Sequence, residues 1–300
     1  MKHYRGSFAL LIAAMLYGLF GVFARIVGNE LAVFYQSWTR NVLILCLIIP
    51  WIVVKRRWKP VAGNDMLWYA IRALVAIILM SCTFTAFNAV NIGTVYILSY
   101  ATSTLAGFCI GTIFLKERLT QNKIYALGLS LMGLMLLYGF SLDADEIWFY
   151  ILANVAGVLL AIWNLLSKKF SGSYSNEQIV SMDCIFCVIF GVCASLLTHE
   201  AMPSVSLSAA WITNALQGII SIATGILIVY GFKYIEAQKG SLILLTEPVF
   251  GALFAFLILG EGMQVAALIG GGLIIVSAVV STIIHPETSS HDIISEKIPS

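Results

Sequence analysis

Ten times in 300 residues the chain passes through some twenty residues with hardly a charge, near 7–26, 33–54, 67–89, 92–115, 123–140, 147–167, 178–197, 209–232, 239–259 and 263–284. About 20 apolar residues of helix cross the hydrocarbon core of a bilayer. In lipid, a helix satisfies its backbone N–H and C=O groups within its own segment. The predicted fold class is therefore an all-α membrane protein with ten transmembrane helices. Composition agrees, since only 11% of residues are charged and 60% are hydrophobic, whereas a soluble domain carries roughly a quarter charged residues. The first run follows Met-Lys-His-Tyr-Arg, exceeds a signal-peptide core in length and lacks a small-x-small cleavage site, so it reads as an uncleaved first span. Residues 286–300 form a polar tail too short for a second domain.

Charge placement predicts the orientation. Lys2, Arg5, Lys55, Arg56, Arg57, Lys59, Lys116, Arg118, Lys123, Lys168, Lys169, Lys233, Lys239 and Lys297 fall on one side of this map. The opposite connections hold Arg25, Asp143, Asp145, Glu146 and Glu200. Basic residues accumulate on the cytoplasmic side, so both termini are expected there. With no large loops, the chain reads most naturally as a multi-pass protein of a bacterial inner membrane. The net charge of +2 gives no basis for nucleic-acid binding. The expected partners are a small-molecule solute and the lipid bilayer, with a homodimer left open.

No cofactor or metal is expected. The six cysteines all lie in apolar runs, and the CxxC pair Cys184 and Cys187 has no second pair or nearby histidine to complete a zinc site. His3, His199, His285 and His291 lie outside the runs.

The chain repeats itself. The stretch NIGTVYILSYATSTLAGFCIGTIFLKERL (91–119) aligns with EAQKGSLILLTEPVFGALFAFLILGEGM (236–263) when Glu117 is set on Glu261, an offset of 144. LYG (16–18) lies opposite IWN (162–164) at an offset of 146. Five spans per copy is an odd number, so the second copy, 143–285, must insert upside down relative to the first, 1–142. Such inverted repeats build transporters with a solute site near the midplane.

These halves, together with the endings FLKERL and LILGEGM and the element TEPVFGALFAFLILGE (246–261), resemble the drug/metabolite transporter superfamily, specifically its EamA type. The first copy departs from that pattern, with Ser103-Thr104 where the second has Glu247-Pro248. The resemblance implies a secondary carrier with a central cavity, commonly an exporter or exchanger of amino acids or related metabolites. Glu117 and Glu261 resemble the family's acid at the end of a helix, for which a capping role is expected.

Charges inside the membrane are costly unless paired or wetted, which singles out Arg40, Asp183 and Glu247. Arg40 and Asp183 occupy nearly corresponding places in the two copies, at an offset of 143. Arg40 could attract a carboxylate-bearing solute, or be satisfied internally by an Asn, a carbonyl or Asp183. Arg72, close to the end of its span, is expected to snorkel. Glu247 precedes Pro248, which removes a helix donor, is expected to kink the ninth span and frees backbone groups; it could bind a cationic group or cycle a proton, with Asp183 the second proton-coupling candidate. Tyr17 and Trp163-Asn164 match across the repeat, Asn41 lies beside Arg40, and Tyr96, Ser99, Tyr100 and Ser103 share one helical face. All are candidate cavity residues, whereas Tyr35 and Trp38 read as interfacial anchors.

A membrane enzyme or a channel is the alternative. No serine–histidine, paired-aspartate or HExxH constellation lies in the spans, no filter-like loop is evident, and no GxxxxGK[ST] sequence couples ATP. A carrier of a small metabolite, such as an amino acid, amine or nucleoside-like compound, driven by a gradient or by exchange, is the favoured reading.

Overall fold

The structure is a computed structural model that describes residues 2–27, 30–90, 92–138, 143–170, 172–260, 262 and 265–283. The polar tail and Glu261 lie outside the described residues. Among the described residues all regular structure is helical: α1 (Lys2–Val27), α2 (Val33–Val54), α3 (Gly63–Ala89), α4 (Ile92–Ile113), α5 (Gln121–Tyr138), α6 (Ile147–Phe170), α7 (Asn176–Leu197), α8 (Ala209–Tyr234), α9 (Ala237–Leu244), α10 (Glu247–Leu259) and α11 (Val265–Ile283). Eight segments are long and apolar enough to cross a membrane, with α9 and α10 counting as one, Ala237–Leu259. With α5 and α11 the described helices make ten rods. Side chains such as Leu207, Leu197, Tyr125 and Ile113 stand exposed on the outside, as expected where the solvent is lipid.

Helix ends follow local chemistry. Ser175 and Ser208 cap α7 and α8, accepting from the N–H groups of Gln178 and Trp211. Gly260 ends α10 at φ +69°, a left-handed conformation that costs glycine little.

The ninth span corrects the sequence reading, which had one helix over 239–259 bent at Pro248. The helix stops at Leu244 and restarts at Glu247. Between them, the Leu245 N–H returns to the Ser241 carbonyl and the Thr246 N–H to the Ile243 carbonyl, at 3.1 and 3.0 Å. The Thr246 hydroxyl also donates to Ile243 O, at 2.7 Å. Pro248 sits in the first turn of α10, where its missing N–H removes nothing that the helix needs. The proline thus opens a second helix and does not kink a continuous one. A second difference concerns α3, which begins at Gly63, several residues before the apolar run.

The packing is strongly patterned. α1 lies on α8 and α3 on α6; α2 meets α7, and α5 meets α11; α4 packs on α6, as α9 and α10 pack on α1. Small residues let these pairs close. A Cβ on Gly231 would stand 2.4 Å from the Leu10 side chain, and one on Gly270 would stand 2.4 Å from the Gly133 carbonyl oxygen and 2.5 Å from the Leu137 nitrogen. The latter atoms are backbone and cannot step aside. Gly270→Val is expected to destabilise the protein by about 1–3 kcal/mol, read as a lower melting temperature in detergent. Gly272→Ala, whose added carbon meets nothing within 4 Å, should leave it unchanged.

Candidate functional site

Eight of these rods surround one cavity of about 290 Å³. Every candidate from the sequence lines it: Tyr17 from α1, Arg40 and Asn41 from α2, Tyr96, Ser99, Tyr100 and Ser103 from α4, Trp163 and Asn164 from α6, Asp183 from α7 and Glu247 from α10. Arg72 from α3, expected to snorkel, joins them, as do residues that sequence reasoning passed over, among them Gln217 and Ser221 from α8 and Ser241 from α9. The cysteines Cys184 and Cys187 also line it, as free thiols.

Arg72 does not snorkel. Because α3 starts at Gly63, Arg72 lies nine residues along the helix and is 1% exposed. Its guanidinium is bonded to the Asp183 carboxylate, donates from Nη2 to the Ser167 hydroxyl at 2.9 Å and stacks 4.7 Å from the Trp163 ring centroid. A guanidinium satisfies several acceptors at once in a fixed plane, which suits it to such a buried position. Asp183 is therefore partnered by Arg72, and Arg40 by neither Asp183 nor an asparagine: Arg40 Nη1 donates to Gln217 Oε1 at 2.9 Å. The Arg40 stem crosses Gly218, where a Cβ would lie 3.2 Å from its Cγ. Asp183 Oδ1 and Asn164 Oδ1 are buried acceptors with no partner among the described residues.

Glu247, half-buried, opens α10 at the cavity wall. Its carboxylate meets the positive end of the helix dipole in the first turn, and the Tyr100 hydroxyl is its hydrogen-bond partner. Pro248 has no N–H to give the Leu244 carbonyl its usual helical bond. Leu244 lies on the cavity. Tyr17 bonds to Thr224 and lies near both Glu247 and the Arg72–Asp183 pair. Ser99 instead ties α4 to α6, donating to the Ala153 carbonyl at 2.9 Å. Tyr35, read as an anchor, is buried and donates to Pro203 O at 2.6 Å, while its N–H donates to Glu200 at 2.8 Å.

Below the cavity, on the face that carries the start of α1, charges hold the broken ninth rod. Glu117 accepts from the N–H groups of Ala237 and Gln238 at 2.7 and 3.1 Å and from Lys168 at 2.9 Å, so it caps α9 across the repeat. Next to it Glu236 pairs with Lys123 at 3.1 Å and Lys239 at 3.5 Å. Partial burial raises the Glu236 pKa, but the two ammonium groups outweigh it and hold the carboxyl below its usual range.

The EamA-like transporter family profile matches twice, over residues 4–139 and 147–283, and the chain belongs to that family. A transporter of Clostridium kluyveri, named only as uncharacterized, is 26% identical over 80% of this chain and 79% of its own. Another uncharacterized transporter, from Archaeoglobus fulgidus, is 24% identical over 92% of this chain and 96% of its own. A protein of known crystal structure shares the fold at a TM-score of 0.78 and 17% identity, covering 93% of this chain and 99% of the other. The protein is a multi-pass membrane protein of a transporter family.

Two stability predictions follow from the charges beneath the cavity. Glu117→Ala leaves the first N–H groups of α9 without an acceptor and should cost about 1–2 kcal/mol, measured by thermal melting, with Glu117→Gln costing less. The depressed pKa of Glu236 means that its pairs stabilise the fold above the unfolded value, near 4.5, and that this contribution is lost as pH falls through the lower folded value. Lys123→Met should shrink that acid-side drop in melting temperature.

Proposed function

We propose that this chain is a secondary active transporter, an exporter or exchanger of a small organic metabolite such as an amino acid, amine or nucleoside-like compound, working by alternating access around the cavity. One observation carries the reading: a largely apolar cavity that holds four ionisable side chains, Arg40, Arg72, Asp183 and Glu247, lies inside an apolar bundle and draws its walls from both halves of the chain. Ionisable side chains at membrane depth are costly to keep and mark solute paths.

The two halves, 1–142 and 143–285, are proposed to be inverted copies. The packing supports this, because the contacts of α1 with α8, α4 with α6 and α3 with α7 recur as α6 with α3, α9–α10 with α1 and α8 with α2 when each rod is advanced by five. The lining supports it residue by residue. Ser37, Arg40, Asn41 and Ile44 on α2 stand 143 positions before Val180, Asp183, Cys184 and Cys187 on α7. Arg72, Ala76, Met80 and Thr83 on α3 stand 145 before Gln217, Ser221, Gly225 and Ile228 on α8. The positive-inside pattern supports cytoplasmic termini in a bacterial inner membrane. The transport unit is one chain, since the cavity is built within it, and a homodimer would pair two such units.

In this reading Arg40, whose partner is a neutral amide, receives a carboxylate or other anionic group of the solute. Glu247 receives an ammonium group or a proton, and Asp183, with one free oxygen, is the second proton-coupling candidate. Tyr17, Tyr96, Tyr100 and Trp163 supply aromatic faces, which attract cations. Asn41, Asn164, Ser99 and Ser103 supply polar contacts.

Purified protein in liposomes, offered labelled amino acids, amines and nucleosides, should show saturable uptake of at least one class. Arg40→Ala should lower that uptake about tenfold, the loss of a charged hydrogen bond. Glu247→Gln should remove its response to a pH gradient. Folded, inserted protein that moves none of these solutes contradicts the reading.

A further inference from the structure

The two buried arginine bridges are related to each other by the internal repeat. Arg40 on α2 bonds Gln217 on α8, and Asp183 on α7 bonds Arg72 on α3. Advancing Arg40 by 143 gives Asp183, and advancing Arg72 by 145 gives Gln217. The same pair of positions is thus bridged twice, once with the arginine on the second rod of its half and once with the arginine on the third. Both bridges join one half of the chain to the other, and both line the cavity.

They lie on opposite sides of the membrane centre. Arg40 and Gln217 lie about a third of the way along α2 and α8, which begin on the face opposite the start of α1, the outer face in the proposed orientation; Arg72 and Asp183 lie about a third of the way along α3 and α7, which begin on the face where α1 starts, the inner one. Their surroundings agree. Outside the Arg40 bridge stand Tyr35, Trp38 and Trp211, with ring centroids 5.2 and 5.8 Å from Tyr35. Inside the Arg72 bridge Tyr69 stacks on Phe170 at 4.1 Å and meets Tyr174 at 5.9 Å. Each bridge therefore has an aromatic cluster on the side toward the start of its helices.

The ends differ in charge. The inner bridge is an ion pair with a hydroxyl and an aromatic face added; the outer bridge is an arginine against a neutral amide. Between groups of this size in a weakly screening interior, opposite full charges attract far more strongly than a charge and a dipole.

We propose that Arg72–Asp183 and Arg40–Gln217 are the inner and outer closures of the carrier, and that the charge asymmetry between them sets the resting conformation with the inner side more firmly shut. This rests on the transport reading above, because closures matter only if the cavity opens alternately. Arg72 and Gln217 are then positioning residues: they hold the halves, and substrate need not touch them.

The test moves the charge from one end to the other. Ser221, between the bridges on α8, becomes the sole cysteine as Ser221→Cys in a chain whose six natural cysteines are replaced. Its reaction with a membrane-impermeant maleimide is timed from each face in vesicles of known orientation. The double substitution Asp183→Asn with Gln217→Glu leaves the hydrogen bonds but transfers the ion pair outward. Labelling from the inner face should rise about tenfold, and labelling from the outer face should fall by a similar factor, the size expected for a coupling of this kind. Gln217→Glu alone keeps the whole inner bridge and should lower outer labelling, which covers the case in which the double variant folds poorly. Unchanged rates from both faces in variants with normal melting temperatures overturn the proposal. If solute exchange persists alongside unchanged rates, only the closure assignment falls. If labelling shifts as expected while the protein with Asp183 and Gln217 intact exchanges no solute, the closures stand and the solute assignment falls.

Discussion

An arginine inside a bilayer must be satisfied by the protein, because no water stands ready to do so. Two such arginines organise this molecule. Arg72 is held by a carboxylate, a hydroxyl and an indole face, and Arg40 by an amide. Each bond crosses from one half of the chain to the other, so the groups that bring charge to the cavity also tie its two walls together. A buried ion pair adds little net stability compared with apolar packing, yet removing one member leaves a charge stranded. Such a pair adds little to the stability of the fold as a whole, yet it can bias the balance between two arrangements of the halves when it is made in one and broken in the other.

Around those bonds the rest of the fold supplies closeness and interruption. Glycines at Gly231 and Gly270 bring rods near enough for backbone to touch backbone, the usual route to helix association in lipid. The break between α9 and α10 does the opposite, placing Glu247 at the cavity wall. Glu117 then anchors the short α9 from the other half of the chain. Eight residues of helix would hold poorly alone, since short helices are marginal.

Much of this was legible in the sequence, and the failures have physical causes. Charge inside an apolar run is a loud signal, and Arg40, Asp183 and Glu247 stood out for that reason. Arg72 was misjudged because the polar residues Gly63, Asn64 and Asp65 do not look like membrane helix, so the third span was started too late and its depth underestimated. Gln217 and Ser221 carry no charge and gave no signal of their own; the repeat offset applied to Arg72 and Ala76 points straight at them. Pro248 was read as a bend because proline has two tolerated places in helices, at a kink and at a first turn, and only the backbone around Thr246 distinguishes them. The capping role of Glu117 could be guessed from its place at a helix end, but its target on α9 lies 120 residues away and no local pattern announces it.

The central claim is that two related halves close one cavity reciprocally, and pulsed spin-label distances test it most directly. Labels at Gln121 and Ser173 span the two halves on the face that carries the start of α1, the proposed inner face, and labels at Ala89 and Ser204 span them on the opposite, proposed outer face; all four side chains are exposed. During turnover the account predicts two distance populations at each face, with the inner pair lengthening in the same proportion of molecules in which the outer pair shortens. A single fixed distance at both faces, in protein that is exchanging solute, would contradict it.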